Sequence, residues 1–71
     1  MITPELIVRD PDIMSGTPVF KGTRVPVKTL IDYLQSGHTL DMFLEHFPSV
    51  SREHAEAVLE LAKRYLVSQA T

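Results

Sequence analysis

The three histidines are the residues of this chain whose type best suits catalysis or metal binding, and their spacing argues against both. His38, His46 and His54 fall in different predicted segments, without the His-x3-His or Cys/His spacing of a metal site. The sequence has no cysteine, which excludes thiolate ligands and disulfides. The segments SGT at 15–17 and KGT at 21–23 lack the Gly-x4-Gly-Lys-Ser/Thr pattern of a phosphate-binding loop. We therefore predict a protein that is not an enzyme and has no cofactor and no metal.

Three basic residues that lie close together in the sequence are better candidates for a binding role. Lys21, Arg24 and Lys28 are predicted on a hairpin and on the first turn of a helix. They would contact the phosphates of DNA or the carboxylates of a protein partner, or else solvate the surface. For Lys21 and Lys28, a binding role and a purely solvating role both stay open. For Arg24 we favour a structural role, in which it binds backbone carbonyls or an aspartate such as Asp10 or Asp12.

A second set of candidate DNA contacts lies at the start of the last predicted helix. In a helix-turn-helix protein the residues that enter the major groove begin the second helix of the motif, and Ser49, Ser51 and Arg52 occupy these positions. Glu53 and Glu56 follow directly and would repel phosphate. The formal net charge of −2 also argues against strong sequence-independent binding to nucleic acid. These residues therefore make a poor recognition helix.

The stretch GTPVFKGTRVPV, residues 16–27, predicts a β-hairpin that leads into a helix. Gly22 can take the positive φ that a tight turn needs, whereas Pro18 and Pro26 have no N–H and limit the pairing. An isolated hairpin exposes unpaired backbone groups, so we predict that it pairs with its copy in a homodimer. Alternatively, residues 6–8 close the sheet within one monomer. The residues predicted in the dimer hairpin are Val19, Phe20, Gly22, Thr23 and Val25.

Apolar residues at i, i+3, i+4 and i+7 predict helices over residues 27–36, 40–46 and 52–67. Thr39 and Ser51 are the predicted N-caps of the second and third helices, and Gly37 the C-terminal cap of the first. The predicted fold is mainly α, a three-helix homeodomain-like or helix-turn-helix bundle preceded by a short N-terminal β-strand and β-hairpin. We expect one domain over residues 1–71, with strand and hairpin in 1–26 and helices in 27–67.

The third predicted helix has apolar residues on more than one face. Its stripe consists of Ala55, Val58, Leu59, Ala62, Tyr65 and Leu66. Ala57, Leu61 and Val67 lie off this stripe, and such an excess usually marks a partner contact. The acidic residues of the same helix, at mixed spacings, predict a solvated face, and they are Glu53, Glu56 and Glu60.

Chain length and composition limit the remaining possibilities. A chain of 71 residues buries only about 60% of the surface that its unfolded form exposes, so association between copies would add useful buried area. No stretch approaches the ~20 apolar residues of a membrane span, and the N-terminal residues lack the pattern of a signal peptide. We expect a cytoplasmic protein without membrane contact.

The run DPDIMSGTPVFKGTRVPV, followed by a helix, a glycine, FLEHFPSVS and a long helix, resembles the family called domain of unknown function 433. The resemblance covers residues 5 to about 66. Its most specific positions are Gly16, Pro18, Gly22, Thr23, Arg24, Pro26 and Val27. The resemblance implies a small bacterial or archaeal protein, similar to VapB-type antitoxins, with a homeodomain-like helix-turn-helix core.

The function that this resemblance implies is that of an antitoxin in a toxin–antitoxin pair. Such a protein neutralises a small nuclease-type toxin encoded beside it, with autorepression of the shared operon through operator DNA as a second role. The toxin contacts would be Glu53, Glu56, Glu60 and Leu61. Two alternatives stay open: a stand-alone DNA-binding transcriptional regulator, and a dimeric interaction module without DNA contact.

Overall fold

Two short strands followed by three helices make up the fold. The computed structural model describes residues 6–12 and 14–69 but not the side chain of Met14; both ends of the predicted domain, 1–5 and 70–71, lie outside this description. The elements are β1 Ile7–Val8, a 3-10 turn Met14–Gly16, β2 Val19–Phe20, α1 Val27–Gln35, α2 Leu40–His46 and α3 Arg52–Gln69. The mainly helical fold with N-terminal strands confirms the predicted fold class.

The two strands pair within the chain. β1 lies antiparallel to β2, with Ile7 opposite Phe20 and Val8 opposite Val19. The pairing continues one residue further, where the Lys21 N–H donates to the Leu6 carbonyl at 3.0 Å. The N-terminal strand predicted at residues 6–8 therefore exists and closes the sheet within one chain.

The other edge of β2 is occupied by the segment that leads into α1. The Phe20 N–H donates to the Val25 carbonyl and the Val27 N–H to the Pro18 carbonyl, both at 3.0 Å. Val19 forms a bridge with Pro26 across the same gap. The predicted hairpin is thus present, and β2 is its inner strand with a partner on each side.

Gly22 and Thr23 form the tight turn of this hairpin. Gly22 has a φ of +82°, the left-handed region that residues with a Cβ rarely adopt. The Thr23 hydroxyl donates to the Phe20 carbonyl at 2.8 Å and accepts from the Val25 N–H at 3.0 Å. The Thr23 side chain therefore joins the two sides of the turn.

Three helix boundaries, the end of α1 and the starts of α2 and α3, carry the predicted local signals, whereas α1 ends one residue before and α3 two residues beyond the predicted bounds. Gly37, with a φ of +86°, follows α1 in the left-handed conformation of a C-terminal cap. The Thr39 hydroxyl accepts from the Met42 N–H at 3.1 Å, and the Ser51 hydroxyl accepts from the His54 N–H at 3.0 Å. Both are N-caps that satisfy a free backbone donor at the start of α2 and of α3.

The hydrophobic core draws on the hairpin, all three helices and the turn between α2 and α3. The buried residues that pack together are Phe20, Val25, Leu30, Phe43, Val50, Ala55 and Val58. The Phe20 and Phe43 ring centroids lie 6.0 Å apart. Among the described residues of α3, none beyond Val58 is buried.

The predicted apolar stripe of α3 is wrong at its C-terminal end, where Tyr65 and Leu66 are each 63% exposed. At a rise of about 1.5 Å per residue, the 18 residues of α3 span about 27 Å, against about 14 Å for the nine residues of α1. The shorter helix cannot cover the end of the longer one. Although α3 is long, none of the described helices is apolar enough to cross a membrane.

Replacing Gly22 with valine is expected to destabilise the fold through backbone strain alone. A Cβ at Gly22 would meet no atom within 4 Å, so the cost comes from forcing a β-branched residue to a φ of +82°. We expect Gly22→Val to lower the free energy of unfolding by about 1–3 kcal/mol, measured by urea denaturation. Gly22→Asn is the control and should lose less, because asparagine tolerates this conformation. A Gly22→Val chain that unfolds like the parent would contradict the role of the turn.

Candidate interaction surfaces

The basic residues of the hairpin and of α1 lie at the surface. Lys21 and Arg24 are exposed in the turn, and Lys28 is exposed on the first turn of α1. The Lys28 ammonium pairs with the Asp32 carboxylate at 2.5 Å, one helical turn further on. Part of the positive charge predicted to contact phosphate is therefore neutralised by the chain itself.

The structural role predicted for Arg24 is not realised. Its side chain makes no hydrogen bond or ion pair with any residue that the structure describes. The Asp10 carboxylate instead accepts from the Asp12 N–H at 2.9 Å. This short-range bond is typical of aspartate in a turn, and it forms without the arginine.

The predicted DNA contacts at the start of α3 are largely engaged within the chain. Ser49 is exposed in the turn before α3, whereas the Ser51 hydroxyl serves as the N-cap. The Arg52 guanidinium binds the Asp41 carboxylate of α2, and it lies 3.9 Å from the Glu56 carboxylate. Two carboxylates thus surround the arginine that would have to bind phosphate. The pairing of Asp41 with Arg52 depends on how α2 and α3 pack, so sequence spacing alone does not reveal it.

The acidic residues of α3 form a continuous stripe on its outer face. Glu53, Glu56 and Glu60 are all exposed, and their i, i+3, i+7 spacing places them on one side of the helix. We call these three residues the acidic stripe. The Glu60 carboxylate accepts from the Arg64 Nε at 3.2 Å. Their exposure agrees with the solvated face predicted for these residues, and this face is unfavourable for phosphate and suited to a cationic partner.

The residues predicted to pair hairpins between two chains are used inside one chain. Val19, Phe20 and Val25 are buried, and Gly22 and Thr23 form the turn. Both edges of β2 already have partners, so β2 offers no free edge to a second copy. The prediction of a sheet shared through β2 is therefore wrong, because β1 takes the place that the second chain would occupy.

A cleft with apolar walls opens between β1, α1 and α3. Its volume is about 430 Å³, and its lining residues are Ile7, Val27, Ile31, Val58, Leu61, Ala62 and Tyr65. We call this cleft the apolar groove. Leu61, predicted with the acidic residues as a toxin contact, lines the groove and is 47% exposed. It therefore belongs to a surface separate from the acidic stripe.

His54 has a structural role that its sequence position did not reveal. Its Nε2 lies 2.8 Å from the Leu6 carbonyl oxygen, and its ring packs edge-on against Phe20 at 5.2 Å. His46 also has a partner, since its Nδ1 lies 2.8 Å from the Tyr33 hydroxyl. In the described part of the chain, no three His, Asp or Glu side chains are grouped so that they could hold a metal ion.

Comparison with known proteins identifies the family. The model of the family described as protein of unknown function (DUF433) matches residues 7–62, and the chain belongs to this family. It is 43% identical over 49 residues to "Uncharacterized protein y4eO" of Sinorhizobium fredii (strain NBRC 101917 / NGR234). The match covers 69% of this chain and 22% of that protein, so the chain spans about a fifth of the relative's length. No solved structure matches the chain significantly.

Replacing His54 with alanine is expected to loosen the attachment of β1 to α3. The change removes the contact with the Leu6 carbonyl and the ring packed on Phe20. We expect a loss of about 1–2 kcal/mol in the free energy of unfolding, measured by urea denaturation. His38→Ala, which removes an exposed histidine ring, is the matched control and should cost less. Equal losses in the two variants would contradict the role given to His54.

Proposed function

We propose that this chain is a non-enzymatic, antitoxin-like protein of the cytoplasm that binds and neutralises a small nuclease-type toxin. The acidic stripe of α3 carries the proposal. A nuclease must present cationic side chains to hold the phosphates of its substrate. Three exposed carboxylates on one helix face can occupy that cationic surface and so compete with the nucleic acid. The resemblance to antitoxin-like proteins supports the same class of partner.

We assign the strongest contribution to toxin binding to the N-terminal part of the acidic stripe, Glu53 and Glu56. Glu53 makes no ion pair with any residue in the described part of the chain. Glu56 is held only loosely, with its carboxylate 3.9 Å from the Arg52 guanidinium. Glu60 is engaged by Arg64 at 3.2 Å. Glu53 and Glu56 are therefore the carboxylates most available to a cationic partner.

Operator binding is proposed as a second role, and it is the less favoured one. The short turn between α2 and α3 suits a helix-turn-helix, and Arg24 and Lys21 are exposed. Against this role, Arg52 is surrounded by the carboxylates of Asp41 and Glu56. The same electrostatics oppose a stand-alone transcriptional regulator. Protein binding is the function that fits the surface better.

The proposal is tested by affinity capture from the native host with matched charge variants. The parent chain is expected to retain a small basic protein encoded in the adjacent reading frame, with nuclease activity that the chain inhibits. Glu53→Gln/Glu56→Gln should weaken this binding about tenfold, through the loss of two charge contacts. Asp12→Asn/Glu45→Gln makes the same change in net charge at exposed positions outside α3 and should bind like the parent.

The other outcomes separate the alternatives. Retention of promoter DNA alone, with an affinity that falls steeply with salt, would contradict the antitoxin function and support a regulator. Retention of a partner that is not a nuclease would support an interaction module. If the double variant in α3 and the control double variant bind the toxin equally weakly, then total charge, and not the acidic stripe, determines binding.

A further inference from the structure

One arginine lies between two carboxylates where the first turns of α2 and α3 meet. Arg52, the first residue of α3, binds the Asp41 carboxylate of α2 through its Nη2 atom. Its Nη1 atom lies 3.9 Å from the Glu56 carboxylate, one helical turn further along α3. The contact with Asp41 is therefore the closer of the two, and Glu56 is the second neighbour of the guanidinium.

The position of the Arg52 guanidinium depends on these carboxylates. Arg52 stands at the N-terminus of α3, where the helix dipole disfavours a cation, so nearby carboxylates are needed to stabilise its charge. Arg52 and Glu56 are four residues apart, a spacing at which opposite charges pair on a helix surface. If Asp41 were absent, the long and flexible arginine side chain would close the remaining distance to Glu56.

We propose that Asp41 is a positioning residue, which holds Arg52 on the α2 side and so leaves Glu56 available to a cationic partner. This inference rests on the proposed function of the acidic stripe, and it adds a residue outside α3 to the features that determine binding. Asp41 acts through Arg52 and does not itself contact the partner.

Arg52 and a cationic partner compete for the same carboxylate. Glu60 is already engaged by Arg64 at 3.2 Å. If Arg52 paired fully with Glu56, Glu53 would be the one carboxylate of the acidic stripe without an ion pair to any described residue. The position of Arg52 therefore determines whether the stripe presents two available carboxylates or one.

The exposure of the three side chains sets the size of the effect. Arg52, Asp41 and Glu56 are 52%, 76% and 58% exposed. Ion pairs this exposed are weak, and each changes an equilibrium constant by no more than about fivefold. Asp41 therefore adjusts the affinity for a partner and does not switch binding on or off.

The test uses hexalysine, a cationic peptide that takes the place of an unidentified toxin. Its dissociation constant is measured by NMR from the amide shifts of Glu53 and Glu56, at an ionic strength of about 0.1 M, which screens charges more than about 10 Å apart. We expect Asp41→Asn to raise this dissociation constant about threefold, because Arg52 then pairs with Glu56.

Glu45→Gln is the matched control for Asp41→Asn. It removes one exposed carboxylate from the same helix, and Glu45 makes no ion pair with any residue that the structure describes. This variant should bind hexalysine nearly as well as the parent does. Far-UV circular dichroism checks that both variants remain folded.

A double-mutant cycle separates positioning by Asp41 from a loss of total charge. Asp41→Asn/Arg52→Gln has the net charge of the parent and lacks the arginine that would cover Glu56, so it should bind hexalysine at least as tightly as the parent. Arg52→Gln should therefore improve binding more in the Asp41→Asn chain than in the parent chain. If Asp41 served only to stabilise α2, removing Arg52 would not restore binding.

Nuclear Overhauser effects report the position of Arg52 directly. In the parent we expect the Arg52 Hδ protons to lie close to the Asp41 Hβ protons. In Asp41→Asn we expect the contact of Arg52 Hδ with the Glu56 Hγ protons to become stronger. Both measurements are made on the full chain without any partner.

Three results would overturn the proposal. They are an equal loss of hexalysine binding in Asp41→Asn and Glu45→Gln, an equal gain from Arg52→Gln in both backgrounds, and an unchanged contact between Arg52 and Glu56 in Asp41→Asn. If hexalysine left the Glu53 and Glu56 amides of the parent unshifted, both this proposal and the binding role of the acidic stripe would be contradicted. Failure of the antitoxin function alone is distinguishable, because affinity capture would then return no nuclease while the hexalysine cycle still showed the coupling.

Discussion

Phe20 is the residue on which both parts of the structure depend. Its ring is fully buried and packs against Phe43 of α2 and His54 of α3. Its backbone N–H donates to the Val25 carbonyl, and its strand pairs with β1 at Ile7. One residue therefore holds the strands against the helices. The tight turn at residues 21–24 keeps Phe20 in place, and packing of Phe20 on the helices supports a sheet that is too short to be stable alone.

The short length of α1 and α2 is a second constraint on the structure, after the packing of Phe20. They complete a core around Phe20, and the α3 residues of this core all lie in the N-terminal half of α3. The outer side of that half carries the acidic stripe, and the half beyond the core carries apolar residues. The two surfaces occupy different faces of one helix.

Local features of the fold were predictable from the sequence. The helix boundaries follow from Gly37, Thr39 and Ser51, which act on backbone groups a few residues away. The hairpin turn follows from Gly22 for the same reason. Such signals are visible in a single sequence because the interacting groups are neighbours along the chain.

Long-range contacts were not predictable in the same way. His54 contacts the Leu6 carbonyl across 48 positions, and Arg52 binds Asp41 across 11. Neither pair has a spacing that a helix or a turn would produce. The exposure of Tyr65 likewise depends on the length of α3 relative to α1, although Tyr65 continues the apolar periodicity. The acidic stripe, in contrast, follows from the i, i+3, i+7 spacing of its glutamates.

Amide hydrogen exchange measured by NMR tests most directly whether Phe20 joins the strands and helices into one cooperative unit. The informative amides are those of Phe20 and Lys21, which donate to the Val25 and Leu6 carbonyls, and that of Val58 in α3. We predict that all three share one opening free energy and that urea lowers it equally for each. Fast exchange at Phe20 and Lys21, with Val58 still protected, would contradict the account by showing that the strands open independently of the helices.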